Sequence, residues 1–491
     1  MNDAVRLPEI LIAIGPHLSR RSLLASVSVS KTWKHIFEPL LWTLVELDEH
    51  DYANESIRRA MARNGKFVKN LNLKDIHKKT MDFVQHCTRL HTLRLNLPDT
   101  TGKELVISTL AKILQHNQET LCVLDSKYDF GWGPGICQTL LACPRLEALG
   151  IYESLTHMEV DHDFWKIVAR LKRLSIVTLA LHFLVGEQDT FPNLTHLHMI
   201  TPHCWEPVSA ALASRCPNLI ELSVADYSNS ILSAIERTVL PKCRNLSTLV
   251  VNCSETTSQS RASFFKKLPP MKHFGMSERF FKPTRNEKLP FSQEHFHALV
   301  HIDLKWCGWA RSTTVQELLS SCPNLQSFKA ERLSGRDIEY GDPWVCLRLE
   351  ELWVAFIDVE VPSLGSWTPR PGIYRQLQRL ERLQIFDQYM HLPEMSKEHS
   401  DRLDFRLGFG LEHMAIHRRL RKLRTGTSRQ ELSVKDIKWM IQAWPELEEV
   451  EGILHFKEAE NTKLGRFLER NGIRYRTTDL VRYDEVYQAG F

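Results

Sequence analysis

The nonapeptides CPNLIELSV, residues 216–224, and CPNLQSFKA, residues 322–330, carry the pattern that decides the fold. In each, an apolar residue is followed by a second one three positions later and by a third two positions after that. Twelve such triplets occur along the chain, and in the most regular stretch they begin 24 to 28 residues apart. A period of this length with this spacing is typical of a solenoid in which every turn supplies one strand and one helix. The regular triplets are Leu194-Leu197-Met199, Leu219-Leu222-Val224, Leu246-Leu249-Val251, Met271-Phe274-Met276, Leu299-Ile302-Leu304, Leu325-Phe328-Ala330 and Leu349-Leu352-Val354.

In each triplet the second and third apolar residues alternate with polar ones, as a strand with one buried face requires. The expected fold class is therefore α/β, a solenoid with parallel strands on its concave face and helices outside. A closing helix and strand are expected over residues 457–468 and 473–475. The remaining triplets are Val68-Leu71-Leu73, Leu90-Leu93-Leu95, Leu146-Leu149-Ile151, Leu174-Val177-Leu179 and Leu380-Leu383-Ile385, with weaker copies at Leu121-Leu124, Leu420-Leu423 and Leu447-Val450.

Cysteine usage indicates a reduced compartment. There are eleven cysteines, an odd number, and no C-x-x-C pair. Six of them precede the first apolar residue of a triplet by three positions, which predicts one repeated niche for a small buried side chain. They are Cys87, Cys143, Cys216, Cys243, Cys322 and Cys346.

The bulk composition points to no charged partner. Sixty-three basic and 59 acidic residues leave a net charge of +4, so neither nucleic acid nor a membrane is expected as a partner. No apolar run reaches the ~18–20 residues that a bilayer span needs, and the N-terminus is a poor signal peptide. We therefore expect a cytoplasmic or nuclear protein. The basic run HRRLRKLR at 417–424 is interpreted as a basic strand edge, because Leu420 and Leu423 keep the triplet phase; a nuclear address, a nucleic-acid patch and a site for an acidic target remain alternatives.

The pattern of residues 7–42 predicts a small unit of three helices ahead of the repeats. Ile10, Leu11 and Ile14 are spaced to form one apolar helix face, which Pro16 should end, and Ser30 can cap a later helix. Fewer than 45 residues rarely stabilise a domain alone, so the apolar faces of this segment call for a partner. The alternative is that the segment merely caps the first repeat.

The segment LPEILIAIGPHLSRRSLLASVSVSKTWKHIFEPLLW, residues 7–42, resembles an F-box, through its Leu-Pro start, its paired leucines, Val-Ser-Lys with a tryptophan, and its terminal Leu-Trp. The Cys-Pro-Asn-Leu pattern resembles cysteine-containing leucine-rich repeats. The resemblance implies a substrate receptor in which the F-box binds a Skp-type adaptor, the adaptor binds a cullin, and the repeats hold a protein target for ubiquitination. The adaptor contacts expected from it are Leu7, Pro8, Ile10, Leu11, Leu23, Leu24 and Trp33, with a place in the unit's own core as the alternative for Trp33.

Target-binding residues are expected where strand positions flank the buried ones and point to the concave face. Aromatic and arginine side chains are favoured as binding anchors. This selects Arg94, Tyr152, Trp353 and Phe386, although any one of them could be an ordinary solvated surface residue.

No catalytic set is identifiable from the sequence. His295, His297, His301 and Cys307 come nearest to a metal cluster, but their intervals do not match zinc-ligand spacing. The glycine-rich stretch at 131–135 lacks the lysine of a phosphate loop, and Asp161-His162-Asp163 is interpreted as a solvated helix start. We therefore expect a chain without cofactor, metal or enzymatic activity.

The expected domains are an F-box-like helical domain (1–45), a linker helix (46–66), a leucine-rich-repeat solenoid (67–455) and a C-terminal cap (456–491). The favoured function is substrate recognition within an SCF-type ubiquitin ligase. The alternative is a leucine-rich-repeat scaffold unrelated to ubiquitination.

Overall fold

The computed structural model describes most of the chain, in two compact units. The first unit comprises residues 1–228 and 237–246, and the second comprises 229–236 and 247–491. The described residues are 8–77, 79–98, 102–127, 134–152, 162–177, 190–201, 208–226, 230–253, 256–278, 291–363, 366–369, 371–388, 403–426 and 430–477.

The first unit begins with three short helices around a small core. Leu11, Leu23 and Phe37 are buried together there. The hydroxyl oxygens of Ser19 and Ser30 accept hydrogen bonds from backbone N–H groups three residues later, which caps the second and third helices. A single 3-10 turn follows the first helix at Gly15-Pro16, as predicted. The helices are α1 (Pro8–Ile14), α2 (Arg20–Ser26) and α3 (Lys31–Leu41).

Among the described residues, the repeats that follow contain eight parallel strands in the first unit and nine in the second. This confirms the predicted α/β class and the repeated parallel strands. The first unit contains β1 (Leu44–Leu47), β2 (Asn70–Leu73), β3 (Thr92–Leu95), β4 (Val123–Ser126), β5 (Ala148–Tyr152), β6 (Arg173–Val177), β7 (His196–Thr201) and β8 (Glu221–Asp226). The second contains β9 (Thr248–Cys253), β10 (His273–Glu278), β11 (His301–Leu304), β12 (Ser327–Ser334), β13 (Glu351–Ile357), an antiparallel hairpin of β14 (Glu360–Ser363) and β15 (Ser366–Pro369), then β16 (Ile385–Asp387), β17 (Lys422–Gly426), β18 (Glu449–Gly452) and β19 (Arg474–Arg476).

Helices alternate with the strands along the chain, as the repeat predicts. In the first unit they are α4 (Glu55–Asn64), α5 (Thr80–Val84), α6 (Lys103–His116), α7 (Pro134–Leu141), α8 (His162–Val168) and α9 (Val208–Ala213). In the second they are α10 (Ile231–Ala234), α11 (Ser258–Lys267), α12 (Gln293–Ala298), α13 (Ser312–Ser321), α14 (Gly335–Tyr340), α15 (Pro371–Leu377), α16 (Val434–Ala443) and α17 (Glu458–Arg470). Within the described ranges, no helix combines the length and apolar character needed to cross a bilayer.

One face of each sheet is a row of buried apolar side chains aligned by strand pairing. Full burial of one such side chain is worth about 1.5–3 kcal/mol, and each is covered only when its neighbours are in place. In the first unit the row is Leu71, Leu93, Leu124, Leu149, Leu174, Leu197 and Leu222; in the second it is Leu249, Phe274, Ile302, Phe328, Leu352, Phe386, Leu423 and Val450.

The pairing corrects the phase of two predicted triplets. Leu174 pairs with Leu149 and Leu197, so the triplet in this turn is Leu171-Leu174-Ile176 and not the predicted Leu174-Val177-Leu179. Phe386 pairs with Leu352 and Leu423, so it takes the second apolar place that had been assigned to Leu383. In both turns the true triplet starts three residues away from the predicted one.

In ten turns, a buried residue three positions before the first triplet residue forms a hydrogen-bonded turn with it; we call it the turn residue. Its carbonyl oxygen accepts a hydrogen bond from the N–H of the first triplet residue, at 3.0–3.4 Å. Cysteine fills this place in several turns, which confirms the predicted role of these cysteines in packing. Burial raises the pKa of the Cys346 thiol to about 12. Ten residues of this kind are Cys143, Val168, Phe191, Cys216, Cys243, Cys322, Cys346, Leu380, His417 and Trp444.

The first strand of the first unit differs from the expectation, and the last helix and strand of the second unit agree with it. Strand β1 pairs with β2, so strand pairing starts at Leu44, ahead of the helix that was expected to be a linker. At the other end, α17 and β19 form the expected closing helix and strand. The Tyr475 hydroxyl donates to the Gly452 carbonyl oxygen at 2.9 Å and ties this closure to β18.

Candidate functional site

The predicted adaptor contacts divide into surface and core residues. Pro8, Ile10 and Leu24 are exposed, and Leu24 keeps 56% of its surface accessible. Leu11 and Leu23 instead form the core of the helical unit, so their side chains do not supply a contact surface.

Trp33 is half-buried, with its ring edge-on to Phe37 at a centroid distance of 5.4 Å. Trp33 packs against the core of the helical unit, which was the alternative to a role as an adaptor contact. Leu7 lies outside the described residues.

The structure adds apolar residues that the sequence analysis missed. Ile12 and Val29 keep 59% and 61% of their surface exposed, and Ile14 is exposed too. The sequence of helix α1 could have revealed these exposed residues, because it carries four large apolar residues in five positions. One helix face of this length cannot bury all of them, so an all-round apolar helix implies a partner. We call Pro8, Ile10, Ile12, Ile14, Leu24 and Val29 the exposed apolar set.

In the second unit, Trp353 lies on the solvent face of its strand with three cations around its ring. The distances from the ring centroid are 3.7 Å to Lys305 Nζ, 4.6 Å to Lys329 Nζ and 5.2 Å to the Arg424 guanidinium carbon. Strand pairing aligns Lys329 with Trp353, and Lys305 follows Asp303, the partner of Lys329, by two positions on the same face. We call Trp353 with Lys305, Lys329 and Arg424 the cation–tryptophan cluster.

Carboxylates accompany two of these cations. Lys329 Nζ is 3.3 Å from Glu351 Oε1, and Arg424 is 3.2 Å from Asp387 and 2.9 Å from Glu451. Burial alone would raise the pKa of the Glu351 carboxyl, but a hydrogen bond donated by Ser327 and the charge of Lys329 bring it below its ordinary value. The cluster is therefore held by charge pairs that fix the orientation of the indole.

In the first unit, Arg94 and Tyr152 also lie on one solvent face, on strands β3 and β5. Arg94 Nε is 3.9 Å from Asp125 Oδ2, and Lys127 Nζ is 5.8 Å from the centroid of the Tyr152 ring. Burial raises the pKa of the Tyr152 hydroxyl. Both residues therefore remain candidates for a binding surface within this unit.

The prediction that Phe386 belongs to the binding face is wrong. Its side chain is completely buried and contacts Phe356 and Phe405 edge-on, at centroid distances of 6.1 Å each. The misassigned triplet explains the error: a start at Leu380 puts Phe386 at a flanking position, whereas the true start at Leu383 puts it in the core.

Three of the five lysine and arginine residues in the basic run at 417–424 have carboxylate partners: Arg421, Lys422 and Arg424. Arg421 is 2.6 Å from Glu448, and Arg424 pairs with two carboxylates. Leu420 and Leu423 are buried in triplet phase, which confirms the interpretation as a strand edge. His417 is a buried turn residue whose pKa burial lowers to about 4, so its imidazole is neutral at pH 7.

The histidine and cysteine group at 295–307 is dispersed over separate environments. His295 is buried and lies 2.6 Å from the Leu268 carbonyl oxygen, while the Cys307 thiol donates to Met276. His301 lies beside His273 across strands β10 and β11, with ring centroids 4.2 Å apart and the rings tilted by 56°. Over the described part of the chain, no three His, Cys, Asp or Glu side chains are grouped as a metal site requires.

The comparison with known proteins gives no family. No protein-family model matches the chain, and no curated protein matches it. Fold and surfaces together define the class as an α/β protein of parallel strand–helix repeats preceded by a short helical unit.

Proposed function

We propose that this chain is the substrate-recognition subunit of an SCF-type, cullin-based ubiquitin ligase. Its helical unit would bind a Skp-type adaptor, and the solvent face of its strands would hold a protein target. Ubiquitin transfer would be carried out by other subunits, and this chain would raise the effective concentration of target lysines near them.

The observation that carries the proposal is the exposed apolar set. Ile10, Ile12, Ile14, Leu24 and Val29 lie within twenty residues, in a unit whose own core consists of three fully or nearly buried side chains. Large apolar side chains gathered at this density mark a protein interface. The unit cannot bury them itself, because Leu11, Leu23 and Phe37 already fill its centre.

The solvent face of the repeats supports the second half of the proposal. The cation–tryptophan cluster presents a half-buried indole, a residue type enriched among binding anchors. Its neighbours fix its position, so little conformational entropy is lost when a partner contacts it.

The test is co-purification with a Skp-type adaptor. We expect the full chain to capture the adaptor, and Ile12→Asp with Leu24→Asp to reduce capture at least about tenfold, because each carboxylate would be buried without a partner at the interface. Val345→Asp with Leu347→Asp is the matched control. These residues are also exposed and apolar, but they lie in the second unit.

The proposal fails if the wild-type chain captures no adaptor, or if both double variants capture it equally well. An intact chain without adaptor binding would instead favour a scaffold outside ubiquitination.

A further inference from the structure

The three cations of the cation–tryptophan cluster are not equivalent. Lys329 has Glu351 as an ion-pair partner, and Arg424 has Asp387 and Glu451. Among the residues that the structure describes, no carboxylate pairs with Lys305 Nζ within 4.0 Å, and Nζ instead lies 3.7 Å from the centroid of the Trp353 ring. The ammonium group thus has an aromatic face beneath it and no carboxylate partner.

Lys305 is also partly removed from water. Burial lowers the pKa of its ammonium group and the charge of Lys329 reinforces this shift, whereas Asp303, Asp387 and Glu351 oppose it without reversing it. A cation–π contact compensates only a part of the hydration that a lysine loses on burial. Because none of these carboxylates pairs with Nζ within 4.0 Å among the described residues, a carboxylate placed directly at Nζ would replace part of the hydration that burial removes.

We infer that Lys305 and Trp353 form the anchor point for a glutamate or aspartate side chain of the target protein. The target carboxylate would accept hydrogen bonds from Lys305 Nζ, and the methylene groups next to it would pack on the indole. An ammonium group already half-buried and held over a ring loses little freedom when it pairs, which suits it to this task.

This inference rests on the proposed function, because it names the chemistry of the target that the repeats would hold. Lys329 and Arg424 add positive potential around the anchor while their own carboxylates keep them in place. An acidic segment of an unfolded or extended chain fits this arrangement, since successive carboxylates can meet successive strands.

The test uses the full-length chain and short fluorescent peptides in which glutamate alternates with glycine. Otherwise identical peptides carry glutamine or phosphoserine in place of glutamate. By fluorescence anisotropy we expect the glutamate peptide to bind at least about tenfold more tightly than the glutamine peptide, and Lys305→Met to abolish this difference. Lys305→Arg should retain it. Lys422→Met is the matched control: it lies on the same unit and removes the same charge, but its ion-pair partner is Glu449, at 4.0 Å.

A second readout needs no variant. The rate at which an amine-reactive acetylating reagent modifies Lys305, followed by mass spectrometry, should fall when the glutamate peptide is added and stay constant with the glutamine peptide. Equal binding of the glutamate and glutamine peptides, binding of the phosphoserine peptide alone, or unchanged binding by Lys305→Met would each overturn the inference.

Adaptor capture measured on the same preparations separates the two proposals. A chain that captures the adaptor without preferring glutamate refutes the anchor alone. A chain that binds the glutamate peptide through Lys305 but captures no adaptor refutes the ubiquitin-ligase role alone.

Discussion

Replacing His417 by leucine should make the protein less sensitive to acid. His417 is a turn residue with no exposed surface. Its neutral imidazole donates from Nδ1 to the Leu380 carbonyl oxygen at 3.0 Å, which fixes the tautomer because a carbonyl can only accept. Burial lowers its pKa from 6.5 to about 4, and the bond to Leu380 offsets this only in part.

The direction and size of the change in unfolding free energy follow from proton uptake by the unfolded chain. Below pH 6.5 His417 binds a proton in the unfolded chain, whereas in the folded protein it stays neutral down to about pH 4. The contribution of the neutral His417 to stability is therefore fully present above pH 6.5 and is lost as the pH falls from 6.5 to about 4. At 1.36 kcal/mol per pKa unit the full loss is about 3.4 kcal/mol, and about 2 kcal/mol of it is reached at pH 5.

The assay is urea unfolding of the wild type and of His417→Leu at pH 7.5 and pH 5. The wild type should lose about 2 kcal/mol more than the variant between these two conditions. Cys346→Ala is the control at an equivalent position: it creates a cavity but leaves the pH dependence unchanged, because burial raises its thiol pKa to about 12. If the wild type and His417→Leu respond identically to acid, the imidazole is not held neutral by burial and the reasoning is refuted.

Two further predictions concern the second unit. Glu278→Gln removes the carboxylate charge that faces the buried Arg261 guanidinium at 3.3 Å, and should lower the free energy of unfolding by about 3–5 kcal/mol in urea titrations; a loss below about 1 kcal/mol would mean that the charge is solvated after all. Gly410→Ala should lower the melting temperature more than Gly408→Ala, as differential scanning calorimetry can show. Both glycines have positive φ, 115° and 86°, but only at Gly410 would a Cβ overlap the Tyr374 ring; equal losses would show that this ring moves aside.

The sequence predicted the repeat because burial on one strand face leaves a periodic signal. It failed to fix the phase where apolar residues continue at intervals of three, as in Leu171, Leu174 and Val177. Such a run allows two starting points, and only pairing with Leu149 and Leu197 selects between them. The loss of Phe386 from the predicted site follows from the same ambiguity near Leu380.

The candidate surfaces were predictable to different degrees. Trp353 was found because flanking strand positions point to solvent. The contact between Trp353 and Arg424 was not predicted, because the two residues lie 71 positions apart in the sequence and the intervening turns vary in length. The exposure of Ile12 was missed because a short helix was assumed to bury its apolar residues inside its own unit, whereas Leu11 alone of α1 is buried.

The hydrogen-bonded turns allow the segments between successive turn residues to differ in length. Cys322 and Cys346 are 24 positions apart, Cys346 and Leu380 are 34 apart, and Leu380 and His417 are 37 apart, yet the strands that follow still pair in parallel, with Phe328, Leu352, Phe386 and Leu423 aligned. Because the turns at Cys346, Leu380 and His417 each restart from a short-range hydrogen bond, extra sequence between a strand and the next of these turn residues leaves the pairing undisturbed. Foreign epitopes or whole reporter domains inserted in sequence between a strand and the next turn residue should therefore be tolerated, and these segments are free to diversify while the buried triplet residues stay constant.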